Sequence, residues 1–115
     1  MLESVSLRAL TAALDGLSER QRAVSDDISN VNTPYFTARS VDFESNLRSA
    51  LADGTDPMAT TPTITASTRE RDLNYNNVDL EAETTLGIET NLRYELALRA
   101  TGDRFSLLRS AIRGS

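Results

Sequence analysis

The stretch DDISNVNTPYFTARSVDF spans residues 26–43 and lies where a long helical pattern stops. Before it, apolar residues recur every three or four positions, and this pattern ends at Val31. Pro34 follows three residues later, and the residue before a proline avoids the helical conformation. Two aromatic residues, Tyr35 and Phe36, come directly after the proline. We interpret the stretch as a specific turn that leads the chain out of its first helix.

The segment before this turn predicts a helix from about Leu2 to Val31. Its apolar positions alternate in spacing between three and four, which is the a/d seam of a helix that packs along another helix. Gln21 interrupts the seam at one position. The apolar seam positions are Leu7, Leu10, Leu14, Leu17, Val24, Ile28 and Val31.

A second long helix is predicted over Leu80–Arg113. Asp79 is placed to cap it, and Glu81 and Glu83 lie in its first turn, where the helix end is positive. Its seam follows the same spacing as that of the first helix. The seam positions are Leu80, Thr84, Gly87, Asn91, Tyr94, Leu98, Thr101, Phe105, Leu108 and Ile112.

The segment between the two helices is shorter and irregular. Val41–Ala52 has the pattern of a short amphipathic helix built on Val41, Phe43, Leu47 and Leu51. The residues after it are rich in Gly, Pro, Thr, Asp and Asn, which predicts a loop, with a short strand around Thr63–Thr68 as an alternative.

The predicted fold is therefore mainly α. Two long terminal amphipathic helices pack in a coiled-coil-like bundle, with the short helix and the irregular loop between them. We divide the chain into an N-terminal helix (1–33), a middle segment with the turn and short helix (34–79), and a C-terminal helix (80–115). A chain of 115 residues suits one structural domain.

Composition excludes several classes of function. The chain has 17 acidic and 12 basic residues and a net charge of −5, so a nucleic acid is not expected as its partner. It has neither His nor Cys, so we expect no catalytic site, no cofactor and no metal site. No window predicts a membrane span or a cleaved signal peptide.

The predicted seams leave apolar residues beside them. Ile88, Leu92, Leu96 and Leu107 lie off the a/d line and widen the apolar face of the last helix. Two helices alone have too little interior to bury both faces. This favours self-association or a partner with several helices.

The opening stretch resembles the N-terminal signature of the bacterial flagellar rod and hook proteins, in which a helix is followed by Asn-Ile-x-Asn-x-x-Thr-Pro-Gly-Tyr. Ile28, Asn30, Thr33 and Pro34 match it without a gap. Asp27 stands where the family usually has Asn, Tyr35 where it has Gly, and Phe36 where it has Tyr.

The C-terminal segment is similar to the short proximal-rod members of the same family. NNVDL opens its helix, and the matching positions that follow are Tyr94, Phe105, Leu108, Arg109 and Ile112. The resemblance covers about the first 47 residues and the last 40, and the middle is unmatched. Resemblance to this subfamily implies a structural subunit that assembles with other rod subunits and the basal-body base around a central channel.

Family resemblance also implies roles for individual residues. The assembly interface would comprise Leu7, Leu10, Leu14, Leu17, Ile28, Tyr94, Leu98, Phe105, Leu108 and Ile112. The family turn motif would be Asn30, Thr33, Pro34, Tyr35 and Phe36.

Resemblance to this family further implies export by the flagellar type III apparatus, without a cleaved signal, to the rod outside the cytoplasmic membrane. Phe43 and Leu47 have the spacing of the Phe-x-x-x-hydrophobic element recognised at the export gate. Packing of this pair within the subunit is the alternative.

Two other functions stay open for the chain as a whole: another short axial protein of the same assembly, and a soluble helical adaptor that binds a partner helix.

Overall fold

The computed structural model describes residues 4–113; residues 2 and 3, where the first helix was predicted to begin, lie outside this range. In chain order the elements are helix α1 (Val5–Ser29), strand β1 (Arg39–Asp42), helix α2 (Glu44–Asp53), a 3₁₀ turn (Pro57–Ala59), strand β2 (Thr63–Ala66) and helix α3 (Leu80–Arg113). The mainly α fold with two long terminal helices is as predicted.

Hydrogen bonds at both ends of helix α1 account for where it begins and ends. The Ser4 hydroxyl accepts a hydrogen bond from the N–H of Leu7 at 3.1 Å, which satisfies one of the free donors of the first turn. The helix ends at Ser29, and the N–H of Asn30 donates back to the carbonyls of the last turn. The end lies two residues earlier than predicted.

Helices α1 and α3 pack antiparallel along most of their length. Val24 lies 3.3 Å from the position that a Cβ on Gly87 would occupy, and Arg104 donates to Ser6 at the other end. Leu7, Leu17 and Val24 of the predicted α1 seam are buried.

The inward line of α3 agrees with the predicted seam at Gly87, Tyr94, Thr101 and Leu108, and lies one residue earlier near Thr84, Asn91 and Leu98. Glu83 and Thr90 are buried, whereas the predicted seam residues Thr84 and Asn91 are exposed. Gly87 stays on the inward line and lets α1 approach closely, since a Cβ there would lie 3.3 Å from the side chain of Val24.

The middle segment forms a two-stranded antiparallel sheet and a short helix. Val41 pairs with Ile64 in this sheet, and the predicted alternative of a short strand near Thr63 is confirmed. The prediction that a helix begins at Val41 is wrong. Val41 and Phe43 are buried while Asp42 between them is exposed, which is the alternation of an extended chain. Helix α2 starts only at Glu44.

An ion pair connects this middle segment to α1. Arg8 donates two hydrogen bonds to the carboxylate of Asp56, at 2.9 and 2.7 Å, and this holds the 3₁₀ turn near the start of α1. Helix α2 ends at Gly54, whose φ of 74° is the left-handed conformation that glycine adopts most easily.

Candidate functional site

The turn after α1 is held by its own side chains. Thr33 Oγ1 donates to Asn30 Oδ1 at 3.0 Å, and Asn30 Nδ2 donates to the carbonyl of Asp26 at 2.8 Å. The N–H of Phe36 donates to the carbonyl of Thr33. The predicted turn motif therefore folds as one compact hydrogen-bonded unit, with Pro34 exposed at its tip.

Tyr35 adopts the backbone conformation for which the family's glycine is suited. Its φ is 64°, in the left-handed region that non-glycine residues rarely enter. Tyr75 has a φ of 62°, and the two rings stack with centroids 5.1 Å apart and planes 2° apart. Stacking of this kind favours the pair by about 0.5–1.5 kcal/mol, which offsets part of the backbone strain.

Two consecutive asparagines tie this turn to the segment before α3. Asn76 Nδ2 donates to the carbonyls of Asn30 and Thr33, at 2.8 Å each. Asn77 Oδ1 accepts from the N–H of Ala38 at 2.7 Å. Both asparagines are buried. The two motifs that carry the family resemblance thus form a single site, which we call the interlocked turns (residues 30–38 and 74–77).

The sequence pattern does not predict roles for Asn76 and Asn77. It predicts that the NNVDL motif opens the last helix, which is true only of the final residues of the motif. Two adjacent asparagines just before a helix cap were the available signal, since buried amides serve well as cross-links between backbone carbonyls.

The predicted export residues lie at the junction of α1 and α2. Phe43 is 8% exposed, and Leu47 is half-buried. The guanidinium of Arg20 lies 4.9 Å from the centre of the Phe43 ring, at a distance suited to a cation–π contact. In the folded chain Phe43 is therefore covered.

Arg20 also forms hydrogen bonds and an ion pair at this junction. It donates to the carbonyl of Val41 at 3.1 and 2.7 Å and to both carboxylate oxygens of Glu44. Arg93 reaches the same carboxylate at 3.1 Å, so Glu44 connects α2 to both long helices. Hydrogen bonding from Arg20 lowers the pKa of Glu44 to about 2.

The residues predicted for assembly divide into three groups by exposure. Leu7 and Leu17 are buried within the chain, and Leu10, Leu14, Ile28, Tyr94 and Leu108 are half-buried. Leu98, Phe105 and Ile112 are at least half exposed on α3. The exposed set therefore belongs to the C-terminal helix.

Helix α3 leaves a long apolar surface uncovered, which we call the open face. Its large apolar side chains are between 48% and 68% exposed. They are Leu80, Ile88, Leu92, Leu96, Leu98, Phe105, Leu107 and Ile112. Exposed large apolar side chains recurring along one helix favour an interaction site.

Within residues 4–113, neither long helix has a stretch apolar enough to span a membrane. In the same range, no group of three or more acidic side chains is arranged to hold a metal ion.

The fold and the interlocked turns define an elongated, mainly helical protein with one open helical face. Flagellar basal body rod protein FlgB of Salmonella typhimurium is 27% identical over 129 aligned positions, covering 95% of this chain and 94% of that protein. FlgB of Escherichia coli strain K12 is 29% identical, covering 83% of each chain. FlgB of Yersinia enterocolitica is 28% identical, covering 93% of each. No protein-family model matches the chain.

These similarities extend over most of the chain. They support a FlgB-like family of flagellar rod proteins, and the resemblance that the two motifs indicated is confirmed.

Proposed function

We propose that the chain is a structural subunit of the proximal rod of the bacterial flagellum. Its terminal helices assemble with other rod subunits and with the basal-body base into a hollow shaft, which transmits motor torque and conducts exported subunits. The observation that carries this proposal is the open face of α3. Such a surface is costly in water and is stabilised by burial against neighbouring helices.

The division of apolar residues between the two helices supports the same arrangement. The buried leucines of α1 hold the chain's own hairpin together, so the surface left for neighbours lies mainly on α3. Ile88, Leu92 and Leu96 recur every four residues and therefore share one side of the helix. The interlocked turns fix the relative position of the two helices near one end. In this proposal the three sections 1–33, 34–79 and 80–115 act as one structural domain.

Export precedes assembly in this proposal. The chain leaves the cytoplasm unfolded through the flagellar type III apparatus, without a cleaved signal, and folds at the rod outside the cytoplasmic membrane. Phe43 and Leu47 serve recognition while the chain is unfolded. Because α1 covers Phe43 in the folded chain, this side chain serves recognition before the chain folds and serves packing afterwards.

A structural role requires no catalytic group, cofactor or metal, which agrees with a sequence that contains neither His nor Cys. Fractionation of cells that carry an epitope-tagged chain tests the proposal. A rod subunit copurifies with intact basal bodies and resists washing with salt and detergent. An adaptor in the cytosol is recovered in the soluble fraction, and that result would refute the rod assignment.

A further inference from the structure

Two carboxyl groups meet inside the fold, between the long helices. Asp27 lies near the end of α1 and is 0% exposed, and Glu83 lies in the first turn of α3 and is 3% exposed. Val24 lies against Gly87 in the antiparallel helix pair, and about one turn further along each helix Asp27 and Glu83 lie close enough to act on each other's pKa. Buried acidic side chains are usually paired with a cation or with several donors, so a pair of acids in contact requires another explanation.

The groups around the pair supply donors mainly to Asp27. The backbone N–H of Arg39 on β1 lies 3.3 Å from each oxygen of that carboxylate. The Arg39 guanidinium is turned to the neighbouring Asp26, at 2.9 Å. These contacts favour the ionised form of Asp27.

Only one carboxylate oxygen of Glu83 has a hydrogen-bond donor among the described residues. Arg69, from the segment after β2, reaches its Oε1 at the long distance of 3.4 Å. Its Oε2 is buried and meets no donor among the described residues. A protonated Glu83 resolves this arrangement, because its hydroxyl can donate to the acceptor beside it, the Asp27 carboxylate.

Repulsion between two buried negative charges also favours a protonated Glu83. Two carboxylates in contact in a buried site cannot both ionise without strong repulsion. Burial, followed by the charge of Asp27 and the hydrogen bond to it, raises the pKa of Glu83 to about 7. Burial also raises the pKa of Asp27, although the N–H of Arg39 acts in the opposite direction.

We propose that Asp27 and Glu83 form a proton-dependent latch, in which α1 and α3 close on each other by sharing one proton and loosen when that proton is lost. The folded chain binds this proton more tightly than the unfolded chain, in which Glu83 has its ordinary pKa of 4.5. The stabilisation is therefore full below about pH 4.5 and is lost as the pH rises to about 7.

The latch belongs to the single chain, so its failure would leave the proposed rod function untouched. Its test is urea denaturation of the purified full chain, followed by circular dichroism at several values between pH 5 and 8.5. A constant concentration of sucrose is included, because the open face of α3 is uncovered in the monomer and sucrose favours the folded state. The folding equilibrium constant of the wild type should fall by up to about tenfold per pH unit up to pH 7.

Glu83→Gln removes the titration and keeps the size and a donor for Asp27, so its folding equilibrium should be nearly independent of pH in this range. Glu89→Gln changes an exposed glutamate of the same helix and should retain the wild-type dependence. A wild-type profile that is flat, or a Glu83→Gln profile as steep as that of the wild type, would overturn the latch.

A direct titration covers the case in which Glu83→Gln does not fold. The carboxyl carbon of Glu83 is followed by ¹³C NMR in the wild-type chain in the same buffer. A midpoint near pH 7 supports the shared proton. A midpoint near 4.5 shows that both groups are ionised at neutral pH and overturns the proposal.

Discussion

The ring of Phe43 lies directly against the α-carbon of Gly16, in a space that a Cβ at position 16 would have to share with the ring. Gly16 is in the interior of α1, where glycine is unfavourable by about 1 kcal/mol relative to alanine. The contact explains why a glycine is placed there. It brings the start of α2 onto α1 and covers Phe43 within the fold.

Gly16→Ala should therefore destabilise the chain, because the methyl group must displace Phe43. Overpacking of this kind costs about 1–3 kcal/mol, which exceeds the gain in helix propensity. Gly102→Ala is the matched control, since a Cβ there meets nothing within 4 Å, and it should stabilise the chain by up to about 1 kcal/mol. Urea denaturation of both variants measures the difference. Equal effects at the two glycines would show that Phe43 is not packed against Gly16.

Asn76→Ala should loosen the interlocked turns. It leaves the carbonyls of Asn30 and Thr33 without the donor that joins them, and the expected loss is about 1–3 kcal/mol. Asn91→Ala, at an exposed position on α3, should change stability by less than about 0.5 kcal/mol. Amide hydrogen exchange should show faster exchange at residues 33–38 in the first variant alone. Unchanged protection there would contradict the cross-linking role.

Acid should weaken the junction between α1 and α2. The pKa of Glu44 is lowered to about 2 in the folded chain by its hydrogen bonds with Arg20, so its contribution to stability is present above about pH 4.5 and is lost as the pH falls towards 2. The carboxylate is 34% exposed, and solvent reduces the size of the effect. Glu44→Gln should flatten the acid side of the profile of stability against pH, whereas Asp53→Asn, at an exposed position of α2, should not. Parallel acid profiles for the wild type and Glu44→Gln would refute this role.

Export should depend on the side chain of Phe43 itself. We expect Phe43→Ala to remain in the cytoplasm, because the unfolded chain loses its apolar recognition element. Gly16→Ala keeps this side chain and disturbs only its packing, so it should reach the periplasm or the medium. The measurement is the distribution of each variant in a strain that lacks later rod proteins. Normal export of Phe43→Ala would rule out recognition and leave packing as the role of the residue.

Assembly should depend on the apolar character of the open face. Leu92→Glu places a charge at a half-exposed position, so the monomer should fold normally while rod incorporation fails. Leu92→Met keeps an apolar side chain of similar volume and should assemble. Phe105→Ala and Leu108→Ala should also block incorporation while leaving export largely intact. Immunoblots of purified basal bodies separate these outcomes, and motile cells with Leu92→Glu in their rods would reject the open face as the interface.

Local chemistry allowed the long helices to be predicted from the sequence. The bounds of α3 agree with the prediction, because Asp79 supplies a recognisable cap: its Oδ1 accepts from the N–H of Ala82 at 3.1 Å. The start of α2 was misplaced because Val41 and Phe43 fit both a helical and an alternating pattern over so short a segment.

Contacts between distant segments could not be predicted. The hydrogen bonds from Asn76 join residues more than 40 positions apart, and no periodicity reports them. The burial of Glu83 and Thr90 in place of Thr84 and Asn91 also depends on how α3 packs against α1, which the spacing of apolar residues does not report. The meeting of Asp27 with Glu83 has the same origin, since the sequence shows Asp27 only as a departure from the family motif and Glu83 only as a first-turn charge.

A density map of the intact basal body tests the rod assignment most directly. We expect the chain in the proximal rod, with the side chains of Ile88, Leu92 and Leu96 covered by helices of neighbouring subunits. A map in which the rod lacks this chain, or in which the open face of α3 is turned to solvent, would contradict the account.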